Sequence, residues 1–432
     1  MNPVSSTDPS GTERHHALDA LRAAAMMLGL LLHGAVSYMS LPVRGLPWPT
    51  DAASRSPVLD WLFWGIHGFR VPLFFLLSGY FAALLYEARG AQRFLAHRAR
   101  RILAPFLVGA VCLLPCLYLI ASYGWLRSGR CTIREILTGD FDDLEIRANV
   151  FGPAHLWFLE FLLVFSLLFW TYRRLRERFP PSPRSSLPLD KLLVSFWRPL
   201  ALAIPSALIL AADLGVLTDF RHRFLPAPSD LAYHGSFFLV GTGLYAFRGS
   251  LDRLIRHSAL YLWLSVPSGI AMIALVATPL SGKVNHTMAW RAGLITSAAL
   301  FTALSVFGSL GLFLRFFRER RPWVQYLSDA SYWIYLAHLP VILLCQVVLR
   351  EAPFPVLGKY LAAVGLTFSV CLLSYQAYIR YGVIGRWLNG ARRPLGKALD
   401  PAAGSSRLGA PARSHAAFSP AEARLSRGVG CL

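Results

Sequence analysis

The stretch DWLFWGIHGFRVPLFFLLSGYFAALLY, residues 60–86, decides the fold. It is an apolar run with one charge at its start, Asp60, and one in its interior, Arg70. About 20 such residues cross the hydrocarbon core of a bilayer as a helix. In that medium only helices and closed barrels can satisfy their own backbone hydrogen bonds. Further runs of the same kind cover residues 17–41, 102–124, 151–172, 196–217, 229–247, 258–280, 289–314, 325–349 and 358–379. The chain therefore reads as all-α, a polytopic integral membrane helix bundle of about ten transmembrane helices.

Composition agrees once the charges are located. Of 432 residues, 55% are hydrophobic and only 15% charged, against roughly a quarter charged in soluble domains. A disordered chain and a disulfide-stapled secreted module are excluded. Yet 43 Lys+Arg against 23 Asp+Glu leave a net charge of +20, which in a soluble protein would point to nucleic acid. Here the basic residues collect in alternate loops: Arg89 to Arg101, Arg173 to Lys191, Arg248 to Arg256 and Arg315 to Arg321. About 30 fall on one side of the membrane and about 12 on the other, a bias that makes the richer side cytoplasmic and puts both termini there. The excess charge is thus chiefly a topology signal of a multi-pass membrane protein, with no nucleic-acid partner implied.

Outside the bundle, residues 1–16 form a polar cytoplasmic tail with no removable signal peptide. Residues 173–195 are a basic, Pro/Ser-rich cytoplasmic linker within the domain spanning 17–385, and 386–432 read as a disordered cytoplasmic tail. The cysteines, Cys112 and Cys116 among them, read as small buried side chains, and no spacing of Cys and His implies a metal site.

Ionisable side chains at membrane depth are costly and mark function. The first run carries Arg22 and His33; eleven residues are close to three helical turns, so both share one face about 16 Å apart. This spacing predicts His33 near mid-depth and Arg22 at the inner surface. The alternative is a snorkelling Arg with a packing His. Arg70, preceded by His67 and followed by Pro72, reaches a similar depth and must face the protein interior, a wet cavity or an anion. Ser78 and Tyr80 follow toward the inner end, and Gly79 between them permits close helix approach. HLWFLE, residues 155–160, adds His155, Trp157 and Glu160; Trp157 alone reads as an interfacial anchor, and Glu160 as a titrating group or the partner of Arg70. Ser331, Tyr335 and His338 share one helix face, open to a proton relay, an acceptor-binding wall or a structural network. A neutral buried imidazole suits general-base work. No Walker loop, HExxH or nucleophile elbow is present where it should be.

Taken in order, these residues resemble membrane-bound acyltransferase family 3. The resemblance covers roughly residues 15–385. It rests on Arg22 with ten residues before His33, HGFRVPLFFLLSGYF at 67–81, RARR at 98–101, HLWFL at 155–159 and YLAHLP at 335–340. It implies an acyl-CoA donor, succinyl-CoA or acetyl-CoA, entering from the cytoplasm, and a hydroxyl acceptor on a periplasmic glucan or other carbohydrate. It also implies His33 as the catalytic His, Arg22, Arg98 and Arg101 as holders of the donor phosphates, and Arg70 as the intramembrane cation. His67, Ser78, His155, Trp157, Tyr335 and His338 would line the substrate or support these groups, and glucan-synthesis proteins would be partners. No tightly bound cofactor is implied. His-Leu-Pro at 338–340 departs from the paired histidines of the glucan-acting members and leaves the acceptor open. Direct attack and an acyl-histidine relay both remain available. The rival class is a transporter or flippase of a polysaccharide or glycolipid precursor, for which intramembrane His and Arg are equally suitable. No inverted repeat speaks for it.

Overall fold

In a computed structural model of the chain, residues 9–179, 188–221, 223–280 and 287–385 are described. The tail at 386–432, the first eight residues and part of the basic linker, 180–187, lie outside them. Among the described residues the fold is helical throughout, the only pairing of extended backbone being a single bridge between Arg44 and Asp219.

The long elements are α1 (Pro9–Val36), α2 (Pro57–Arg98) and α3 (Ala104–Arg127). The short α4 (Ile133–Thr138) and α5 (Leu144–Asn149) precede α6 (Trp157–Arg178). Then come α7 (Pro188–Val194), α8 (Leu200–Ala212), the turn α9 (Gly215–Thr218) and α10 (Pro228–Ala246). The chain closes with α11 (Leu251–Leu280), α12 (Met288–Phe316), α13 (Pro322–Leu349) and α14 (Val356–Ser374). Pro at the first turn starts α2, α10 and α13, where its missing N–H has no intrahelical partner to lose.

Among the described residues seven helices are long and apolar enough to cross a membrane, against about ten apolar runs in the sequence. The difference has a physical cause. The continuous stretch Pro57–Arg127 counts once, yet it contains two of those runs, joined through a bend at Gly90 and a π-helical turn at Ala99–Leu103. Two more runs correspond to α8, which is short at 13 residues, and to α10, which carries Asp230 and His234.

The bundle is arranged inside out relative to a soluble protein. Val111, Leu119, Leu168, Leu208, Trp263, Leu361 and Leu373 are exposed on its surface, while Arg22, Arg98, Arg101, His155, His338 and Lys359 are buried. Apolar surface on this scale belongs against lipid. Cys112 and Cys116 lie on that outer face of α3, exposed, which corrects the expectation that they are buried. Around α1 are packed α2, α12, α13 and α14. Elsewhere α2 and α10 cross so closely that a Cβ on Gly79 would meet the Phe238 backbone carbonyl, and one on Gly241 that of Leu76. Glycine on each helix is what allows the two backbones to meet there.

Candidate active site

Helix α1 ends at Val36, five residues short of the run marked in the sequence, so His33 stands in its last turn. The cause is the segment SYMSLPVRGLPWPT, residues 37–50, whose prolines and glycine stop the helix. This segment folds back into the protein: Trp48 Nε1 donates to Ser37 Oγ (3.0 Å) and to Gln346 Oε1 (2.9 Å). Irregular backbone is tolerated at such a place only when it is buried in protein. A helix end also leaves its last four carbonyls without partners. Gln346, 2% exposed, supplies two of the missing bonds, its Nε2 donating to His33 O (2.9 Å) and Gly34 O (2.8 Å).

The ring of His33 lies against that of His338, with centroids 5.1 Å apart and His33 Nδ1 3.2 Å from His338 Nε2. His338 Nδ1 faces Tyr335 O (2.8 Å) and Ile334 O (2.9 Å). One turn earlier on α1, a Cβ on Gly29 would strike the guanidinium of Arg70. Arg70 therefore lies across the α1 face that carries His33, and its Nε has no hydrogen-bond partner. Its charge acts on His33, His338 and Tyr335. No ion pair joins Arg70 to Glu160 among the described residues, and Glu160 Oε2 is buried without a partner.

Two prolines organise the surroundings. Pro72 in α2 and Pro340 in α13 have no N–H, which frees the carbonyl four residues earlier. The first freed carbonyl, Gly68 O, accepts from Thr302 Oγ1 (2.6 Å). The second, Leu336 O, accepts from His155 Nε2 (3.1 Å). His155 is thereby fixed with its ring 5.7 Å from that of His338, and Tyr335 donates its hydroxyl to His155 O (2.7 Å). His67 is bonded to Leu217 O (3.3 Å) and stacks on Phe63. Trp157 contacts the rings of Phe75, Phe161 and His234. Ser78 is buried beside Gly79 at the α2–α10 crossing, and Ser331 bonds back to Ser328 O within its own helix.

The basic end of the bundle is different in kind. Arg22 has protein partners, an ion pair to Asp19 (3.2 Å) and a hydrogen bond to Ser328 Oγ (3.1 Å). One turn along α13, Tyr332 donates to Arg101 O (2.7 Å), so Arg22 and Arg101 sit at one level. Arg98 is 2% exposed, yet among the described residues its Nε and Nη2 have no hydrogen-bond partner, nor do Arg101 Nη1 and His97 Nδ1. Arg98 and Arg101 flank the π-helical turn Ala99–Leu103, a local geometry frequent at functional sites. Unpartnered buried guanidinium donors fit a phosphate-bearing ligand. No group of three His, Cys, Asp or Glu side chains that could hold a metal occurs among the described residues.

The structure thus gathers His33, Arg70, His155, Tyr335 and His338 in one cluster and Arg22, Arg98 and Arg101 in another. Sequence reasoning missed Gln346, Trp48, Gly29 and His234. His234 alone carried a readable signal, an imidazole inside the apolar run of α10.

The acyltransferase domain family matches residues 15–376. Among curated proteins, glucans biosynthesis protein C of Salmonella schwarzengrund (strain CVM19633) is 24% identical over 377 residues, covering 85% of this chain and 92% of that protein. The protein of the same name in Salmonella heidelberg (strain SL476) matches to the same extent, and that of Salmonella paratyphi B (strain ATCC BAA-1250 / SPB7) at 23% over 376 residues, 85% of this chain and 92% of its own length. No solved structure matches. With the His33 cluster and the RARR turn both inside the matched range, the chain belongs to acyltransferase family 3 and is a multi-pass membrane enzyme that transfers acyl groups.

Proposed function

We propose that this enzyme moves an acyl group, succinyl or acetyl, from a cytoplasmic acyl-CoA to hydroxyls of a periplasmic glucan or related carbohydrate. The observation that carries the reading is the pair of buried guanidinium groups, Arg98 and Arg101, with unpartnered donors at one end of α1, while the His33 cluster lies at the other. The rise of α1 from Arg22 to His33 is about 16 Å, a distance suited to a donor held by its phosphates with its thioester on a long arm. The relatives' name supports a glucan acceptor. In this reading the basic end faces the cytoplasm, both termini lie there, the chain crosses the inner membrane about ten times, and glucan-synthesis proteins are its partners.

His33 takes the proton of the attacking hydroxyl as its oxygen bonds to the thioester carbonyl carbon. Arg70, adjacent on the same face and unpaired at Nε, stabilises the negative charge that develops on the carbonyl oxygen. The C–S bond then breaks and the proton held by His33 goes to the departing thiolate. Purified protein incubated with labelled succinyl-CoA or acetyl-CoA and a glucan is expected to yield labelled ester. His33→Ala should lower that yield by about 10²- to 10⁴-fold at equal expression and unchanged folding. Ester formation that survives the substitution would remove His33 from the chemistry. Glucan export without esterification would favour a transporter.

A further inference from the structure

We infer that His338 is the positioning partner of His33, setting its tautomer so that Nε2 is the nitrogen left to accept a proton. The inference rests on the reading of His33 as the base and asks which atom of it acts. The argument begins at His338 Nδ1, which faces two backbone carbonyl oxygens, Tyr335 O at 2.8 Å and Ile334 O at 2.9 Å. A carbonyl oxygen only accepts, so Nδ1 carries the hydrogen. In a neutral imidazole the other nitrogen is then a lone pair. His338 Nε2 is therefore an acceptor, and the group 3.2 Å from it is His33 Nδ1. Two lone pairs do not bond, so His33 Nδ1 is the donor and His33 Nε2 is the free base nitrogen. No carboxylate pairs with either ring among the described residues, so a neutral pair is the state the surroundings hold.

The arrangement does for His33 what a buried carboxylate does in a Ser-His-Asp triad: it fixes orientation and tautomer from behind. When His33 Nε2 takes the hydroxyl proton, the resulting imidazolium already has its Nδ1–H on a lone pair, and no group has to turn. The rest of the site keeps the acceptor in place. His338 is 5% exposed, and His155, held on the carbonyl that Pro340 frees, packs edge-on against its ring.

The test has two arms on the full-length protein. In the resting enzyme without substrate, 15N spectra of histidine-labelled protein, assigned by His33→Ala, are expected to show His33 with a protonated Nδ1 and an unprotonated Nε2. His338→Ala should scramble that preference. In the second arm, with succinyl-CoA and a glucan oligosaccharide, His338→Ala should lower kcat by about 10- to 100-fold, the scale of an orienting partner, with the donor KM unchanged. His338→Gln, whose amide oxygen can accept the same hydrogen bond, should recover part of the loss. A wild-type spectrum with His33 Nδ1 unprotonated overturns the inference, as does His338→Ala with wild-type kcat. If the wild-type protein acylates no glucan, the proposed acceptor fails, and the spectrum still decides the tautomer.

Discussion

Where α1 finishes, the ammonium of Lys359 is 4% exposed and meets Asp51 Oδ2 (2.8 Å), Ser54 Oγ (3.0 Å) and Arg350 O (2.7 Å). At the opposite end, Arg98 is 2% exposed and lies over the Phe94 ring (5.1 Å), but two of its nitrogens have no hydrogen-bond partner among the described residues. The contrast continues beyond these two. In other inter-helix segments, Arg221 is paired with Asp213 (2.6 Å), Arg130 with Asp143 (2.8 Å), and Arg127 with Glu351. Near Arg98, Arg101 and His97 share its want of partners. Burying a charge is costly unless it is paired. The capped end meets that requirement within the chain and is structure. At the basic end Arg22 meets it through Asp19, while Arg98 and Arg101 keep donors unmet among the described residues, and a phosphate supplied from outside would complete them.

Substitutions can break this comparison at either end. The largest effect is expected at the capped end, where Lys359→Met strands Asp51 as a buried unpaired carboxylate. A loss of about 3–5 kcal/mol follows, read as a fall in Tm in detergent, and Lys359→Met combined with Asp51→Leu should recover most of it. If the single variant melts like the wild type, the pair is not a staple. Next comes Arg98→Gln. It should raise the acyl-CoA KM by about 10-fold through one lost charge-assisted bond, with Tm little changed, because among the described residues the charge removed pairs with no carboxylate and meets only the Phe94 ring. A marked fall in Tm with an unaltered KM would make Arg98 structural, like Lys359.

The smallest effect is one of pH. Hydrogen bonds from Arg221 and Ser229 hold the Asp213 carboxyl well below its ordinary value of 3.8. A depressed folded value means the stabilisation is full above that ordinary value and is lost as pH falls from it toward the folded one. Asp213 is partly exposed, so screening keeps the contribution below about 1 kcal/mol. Hydrogen-exchange protection in residues 213–221, corrected for the intrinsic exchange rate, should therefore fall as pH drops from about 4 toward about 2, and Asp213→Asn should be equally unprotected at both. Unchanged protection in the wild type would show that Asp213 carries no load in the cap.

The helices were legible in the sequence because hydropathy is a local property. So were Arg70 and His33, since a charged or imidazole side chain in an apolar run stands out by itself, whereas Arg98 and Arg101 lie in a basic loop and were singled out only by the family resemblance. What could not be read were the partners. Gln346 looks like an ordinary polar residue of α13, and only the folded chain brings it to the carbonyls of His33 and Gly34, 313 and 312 positions away. Pro72 and Pro340 announce broken hydrogen bonds, yet nothing near them names Thr302 or His155 as the donors that repair them. The end of α1 was misjudged because residues 37–41 are apolar enough to continue a span. It is the return of Trp48 and Asp51 into the protein that stops it.

The long reach of these bonds sets an order of events during synthesis. Chains are made and begin to fold from the N-terminus. Arg22 waits 306 residues for Ser328, His33 waits 305 for His338, and Asp51 waits 308 for Lys359. Until α13 and α14 enter the membrane, α1 carries an uncapped end, an imidazole without its partner and a neighbouring carboxylate without its cation. The last two helices made are the ones that arm the first. A ribosome that stalls before them releases a set of membrane helices in which His33 has no partner and the cluster around it is not assembled.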